Sequence, residues 1–169
     1  WSKSELNAIG IYEIVNDLTN YKDNEYYINT NEQYNFADNQ VTKSWGTATA
    51  RRLNDENAVD DNGDPILDQD GVQLINYGLK TEKKRIVKDQ ASGLLAPTDW
   101  YIVKSTEVAD YNVPDNILSF RADVRSKSNE METQIDACTT VDELKALYEY
   151  TEQEDGTQTR PLAEFPKEI

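Results

Sequence analysis

The distribution of apolar positions divides this chain into a β-forming half followed by a helix-forming half. Ser2-Lys3-Ser4-Glu5 has the spacing of a capping box, Leu6 and Ile9 supply an apolar face, and Gly10 ends the short helix. Ile11, Tyr12, Ile14 and Val15 read as extended, and residues 16–25 as a polar connection. From residue 26 the period becomes two. Tyr26, Ile28 and Thr30 fall on one parity and Tyr27, Asn29 and Asn31 on the other, and with Tyr34 and Phe36 they predict one long strand over 26–36. Ala37-Asp38-Asn39-Gln40 is a turn and residues 41–50, with Trp45, are the return, so that 25–53 is expected to form a β-hairpin.

Residues 54–78 are an Asp/Asn-rich stretch with two turn signals, Asn62-Gly63 and Asp70-Gly71, which let Pro65-Ile66-Leu67 pair with Val72-Gln73-Leu74-Ile75 as a ribbon. Beyond it, 79–150 is mainly helical. A helix over 79–92 turns Ile86, Val87 and Ala91 inward and Lys and Arg outward, with Gly93 as its stop. Thr98 to Val103 reads as a turn passing into a short apolar strand, with Trp100 as a core anchor. Pro114 opens a long helix whose Ile117, Phe120, Val124, Met131 and Ile135 make one buried seam, interrupted at Lys127 and Ser128. With so few repeats the seam is expected to pack within the subunit rather than between subunits. Arg121 and Arg125, one turn apart like Asp123 and Lys127, read as a solvated or ion-paired face. Thr140-Val141-Asp142-Glu143 is a second capping box, opening a helix with Leu144, Leu147 and Tyr148. Residues 151–169 hold Gly156, Pro161 and Pro166 and are expected to form an extended tail with few anchors. The fold class is therefore α+β, a small antiparallel hairpin sheet packed with one long helix and two or three shorter ones. It is read as a single domain over 1–150 followed by the tail.

Charge narrows the partners. The 169 residues carry 17 Lys and Arg against 32 Asp and Glu, a formal net charge of -15. Nucleic acid and anionic membrane would be repelled, and the interspersed basic residues and missing carboxylate runs argue against DNA mimicry. No apolar run approaches the ~18 residues of a membrane span and no charged-then-apolar signal segment opens the chain, which reads as soluble. It begins at Trp1 rather than Met, leaving upstream residues or processing open.

Histidine is absent, which removes Ser-His-Asp and Cys-His nucleophilic sites, His-ligated zinc and the usual acid/base near neutral pH. Cys138 is the sole cysteine, so no intrachain disulfide forms, and a packing role is expected for it. A calcium loop starting at Asp60 places Asn62 and Asp64 at ligand positions. Pro65, however, occupies the sharp-turn glycine position and Gly71 that of the bidentate glutamate, so the motif fails. No metal, cofactor or catalytic residue is expected. The remaining chemical option, a carboxylate pair of glycosidase type, has no pair that stands out among so many Asp and Glu.

One segment carries a resemblance. LLAPTDWY from Leu94, the Pro114 helix start, Arg121 and Arg125, SNEME and TVDEL, together spanning about a third of the chain, resemble small structural proteins of tailed bacteriophages, particularly cyanobacterial and marine phages. There is a looser likeness to the C-terminal part of tail-fibre assembly proteins, and WSKSELNAIGIYE at 1–13 adds a weaker match. The resemblance implies a non-enzymatic virion protein at the tail, fibre or neck, assembled in the host cytoplasm, with other virion proteins as partners and a homo-oligomer as a further state. The alternative it implies is an assembly chaperone that helps a fibre fold. The Asp/Asn-rich insert departs from the pattern. Partner contact is expected at Tyr26, Tyr27, Tyr34, Phe36 and Trp45 of the hairpin and at Phe165 of the tail, although the hairpin aromatics are also suited to covering the domain's own helices.

Overall fold

The computed structural model describes residues 1–167. The α+β class holds, and the chain divides into two compact units, the first ending at Arg51 and the second beginning at Arg52.

In the first unit the Ser2 capping box forms as expected, with the Ser2 amide donating to Glu5 Oε2 at 2.6 Å, and helix α1 (Lys3–Ala8) ends before Gly10 at φ 82°. The expected strand over 26–36 is cut in two, β2 (Tyr27–Ile28) and β3 (Gln33–Ala37), because Asn31 adopts a left-handed conformation at φ 54°. Gly46 packs against that kink, where an added Cβ would lie 3.0 Å from Asn31 Cβ. β3 returns as β4 (Gln40–Ser44) through Asp38 and Asn39, both at positive φ, the backbone of a tight hairpin turn. The sheet is not purely antiparallel, since β1 (Ile14–Asn16) runs parallel to β4 and gives the order β1-β4-β3. β2 pairs separately with β5 (Thr49–Ala50).

The second unit is held by helices α2 (Leu79–Leu95) and α4 (Asp115–Ala137). The seam of α4 is buried as predicted, and within this chain: Phe120 and Val124 meet Ala91 of α2, with Leu94, Leu95 and Phe165 around them. The expected interruption is no break, because Ser128 is itself buried. Lys84–Asp136 and Lys88–Glu132 ion pairs at 2.7 and 3.2 Å bind the flanks of the two helices. α2 passes through Gly93 without stopping, since the backbone there has no left-handed turn, and it ends only before Pro97 in a single 3-10 turn.

Residues 98–103 correct the predicted strand. Thr98 ends the 3-10 turn, and residues 99–103 belong to helix α3 (Asp99–Glu107), which has Asp99 in its first turn and Lys104 in its last, both favourable to the helix dipole. A short apolar run fits either period, so the pattern alone could not decide. Trp100 is 52% exposed and stacks on Tyr101 rather than anchoring the core. Arg121 is ion-paired, one of the two expected states, but it is buried rather than on an exposed face. Its guanidinium donates to Leu95 O at 3.0 Å and Thr98 Oγ1 at 2.6 Å and pairs with Asp99 at 2.8 Å, tying α4 to the α2–α3 corner. Lys83 of α2 is also inward rather than outward, its ammonium 4.4 Å from the Tyr148 ring centre.

The Thr140 capping box forms as predicted and opens α5 (Val141–Ala146), with Glu143 accepting from the Thr139 and Thr140 amides. The tail is anchored, contrary to expectation. β8 (Thr151–Glu152) and β9 (Gln158–Thr159) form a hairpin, Leu162 is 2% exposed, and the Gln134 amide bonds to Pro161 O and the Ala163 N–H. Residues 168 and 169 of the predicted tail lie outside the described residues.

Candidate docking surfaces

The six aromatic residues predicted to meet a partner have separate fates. Tyr26 and Tyr27 are buried, at 3% and 4% exposure, and offer a partner no area, because the kink at Asn31 frees β2 to turn inward. Phe165 lies half-buried against the Ala91, Phe120 and Val124 cluster, so it completes the core. Trp45 is half-buried edge-on to Tyr21, with ring centres 4.8 Å apart and the Lys43 ammonium over it. Tyr34 and Phe36 alone remain on the surface, at 57% and 55% exposure, on β3 at an edge of its sheet. Tyr12 lies against Phe36 at 4.6 Å, and the Lys43 ammonium, paired with Glu32 at 2.8 Å, steadies the Tyr34 ring.

Around them the first unit leaves Ile9, Ile11, Ile14, Val15, Leu18 and Ile28 exposed by more than a third of their area. Tyr26 and Tyr27 are the only buried hydrophobic residues of this unit among the described residues. A unit of this size with so little interior is a poor folding unit in isolation, and an open edge strand next to apolar side chains is a surface ready to be extended.

A second exposed surface lies in the other unit. The Asp/Asn-rich stretch forms the predicted ribbon, with β6 (Glu56–Asn57) and β7 (Ile75–Asn76) at its base, and Val59, Leu67, Val72, Leu74, Ile75 and Tyr77 all well exposed. Its acidic side chains serve the backbone. Asp60 Oδ1 accepts from the Asn62 and Asp64 amides and Asp68 Oδ1 from the Asp70 and Val72 amides, all at 2.9 Å. Those amides hold the Asp60 carboxyl below its ordinary pKa. No group of three or more His, Cys, Asp or Glu among the described residues is arranged to hold a metal ion. Added calcium or a chelator is therefore expected to leave the unfolding midpoint in place. A shift of several degrees, equivalent to more than ~1 kcal/mol of linkage, would contradict this.

The same chemistry predicts acid lability. Asp55 accepts from the Gly78 amide and the Thr81 hydroxyl, and Glu143 from Thr139 and Thr140, and both carboxyls are held below their ordinary pKa by those donors. A carboxylate whose folded pKa is depressed contributes stability above its unfolded value, about 4, and loses it as pH falls through the folded value. The midpoint is thus expected to drop on acidification below about pH 4, and Asp55→Asn, which keeps an acceptor but cannot titrate, to flatten part of that drop. An unchanged pH profile for Asp55→Asn would refute the assignment.

Cys138 is buried, its thiol donating weakly to Gln134 O at 3.5 Å, and burial raises its pKa. It lines an open apolar groove with Ala137, Ala146, Leu147 and Pro161. No described helix is long and apolar enough to cross a membrane. No family model matches the chain, and neither a curated protein nor a solved structure is detectably similar to it.

Proposed function

We propose that this chain is a non-enzymatic structural component of a tailed-bacteriophage particle, a connector that docks onto other virion proteins through its first unit. The observation that carries the reading is the apolar surface of that unit, Ile14, Val15, Tyr34 and Phe36 among its members, exposed over a scaffold that buries only two tyrosines. Such a surface is compatible with a stable protein when a partner covers it. The resemblance of 94–149 and 1–13 to phage structural proteins supplies the setting. The absence of histidine supports a non-catalytic role, as does the direction of the carboxylate shifts. Every described carboxyl with a displaced pKa is displaced downward, the wrong direction for a general acid.

Changing Tyr34 and Phe36 together to Ser tests this. Both side chains are more than half exposed, so the variant should keep its circular dichroism and unfolding midpoint while its incorporation into particles falls by about tenfold or more. A folded variant that incorporates normally would overturn docking through this face.

A further inference from the structure

The ribbon at 56–76 is built on a pseudo-threefold axis. Its sequence repeats with a period of eight: Asp60-Asp61-Asn62-Gly63-Asp64-Pro65-Ile66-Leu67 is followed by Asp68-Gln69-Asp70-Gly71-Val72-Gln73-Leu74-Ile75. Both repeats turn identically. Asp60 and Asp68 each donate their amide to the carbonyl four residues on, and Gly63 and Gly71 take positive φ of 87° and 79°.

Three backbone hydrogen bonds then close a ring. The Ala58 amide donates to Leu74 O at 2.8 Å, the Leu74 amide to Ile66 O at 2.9 Å and the Ile66 amide to Ala58 O at 3.0 Å. The strand bridges obey the same symmetry: Val59 faces Pro65, Leu67 faces Gln73, and Ile75 faces Asn57, which stands where the eight-residue step would have placed a third repeat. Two arms of this triangle are closed by the turns, and the chain enters and leaves by the third. At the centre the side-chain nitrogen of Gln73 lies 2.7, 3.2 and 2.8 Å from the three ring carbonyl oxygens, Ala58 O, Ile66 O and Leu74 O, which share its two N–H groups.

Strand alternation puts the bridged residues on one face of the triangle and Ala58, Ile66 and Leu74 on the other. The first face therefore carries Val59, Leu67 and Ile75, one aliphatic side chain per arm, each about half exposed at 52%, 53% and 45%, with Pro65, Gln73 and Asn57 as their cross-strand neighbours. Residues 54–78 add seven Asp and Glu and no Lys or Arg.

We propose that this face docks on the threefold axis of a homotrimeric protein, whose three chains meet Val59, Leu67 and Ile75 with the same aliphatic residue and the acidic turns with Lys or Arg. A surface repeated about an axis makes equivalent contacts only with a partner repeated about the same axis. A second copy of this chain is a poor occupant, because it would set carboxylates against carboxylates. The inference rests on the docking function proposed above but names a different surface and the partner's symmetry, so the two fail separately.

The test places a photoreactive p-benzoylphenylalanine at Leu67 of the full chain, made in cells that also make its partners, and weighs the purified complex by native mass spectrometry. The expected species holds one copy of this chain and three copies of a single other chain, crosslinked at position 67. Val59→Asp, Leu67→Asp and Ile75→Asp, checked for an unchanged midpoint, should each weaken it about tenfold or more, and rising salt should weaken it further. A 1:1 complex through this face would overturn the threefold docking while leaving a docking function standing. Crosslinking to a second copy of this chain, no crosslink, or Asp variants that bind like the original chain would each overturn the proposal.

Discussion

Phe120→Ala is expected to lower the free energy of unfolding by about 3–5 kcal/mol, the range for truncating a buried aromatic side chain. Phe120 is 6% exposed and belongs to a core cluster with Ala91 on α2 and Val124 one turn along α4, against which Phe165 of the tail packs. Ala91 is too small and Val124 too fully buried to fill the space, while partial collapse of the half-buried Leu94, Leu95 and Phe165 would place the loss toward the lower end of that range. Arg125, one residue beyond Val124 on the same helix, is exposed and is expected to tolerate Ala within about 0.5 kcal/mol. Urea unfolding of the two variants checks both. Similar small effects would mean that α4 is rotated about its axis relative to the orientation described.

Gly78→Ala is expected to be the most damaging single-methyl addition in the chain, costing about 3 kcal/mol, the upper end for overpacking. An added Cβ would fall 2.5 Å from the Asn54 carbonyl carbon and oxygen and 2.6 Å from Leu53 O. These are backbone atoms, and they are already committed. Gly78 caps α2 without a side chain, so the first amides of that helix find their acceptors on the incoming strand: Leu79 donates to Arg52 O at 2.9 Å and Lys80 to Leu53 O at 3.1 Å. Asp55 completes the arrangement by accepting from the Gly78 amide at 2.8 Å. Moving residues 53–54 away from a methyl group would strip the cap from α2 and open the base of the three-armed ribbon. Gly93→Ala is the control, because its Cβ would meet nothing within 4 Å in a helical position, where Ala is expected to be neutral or stabilising. Equal midpoints for the two variants would refute the close crossing.

Local signals decided what could be read from the residues. Both capping boxes, the Asp38-Asn39 turn, the Pro114 helix start and the α4 seam depend on residues within one or two turns of each other, and each forms as written. The errors arise where distant segments decide. Arg121 reads as part of a solvated or ion-paired face, and its burial shows only when Leu95 O, Thr98 and Asp99 come round from the α2–α3 corner to satisfy it. The tail reads as unanchored because Gln134, which binds its backbone, lies 27 residues before Pro161. Tyr26 and Tyr27 read as interface residues because a period of two does not reveal a single left-handed Asn31. Of the candidate docking residues, Tyr34 and Phe36 were legible in the strand pattern. The three-armed face was not, although the repeated Asp-x-Asx-Gly at a spacing of eight was present, because only the hydrogen-bond ring shows that the two turns belong to one axis.

Quantitative mass spectrometry of purified particles would show whether the chain is a docked component of a phage particle. This chain is expected at a fixed copy number per particle, in simple ratio to a tail, fibre or neck protein. Its presence in infected-cell lysate together with its absence from purified particles would contradict the structural role and identify a protein that acts only during assembly.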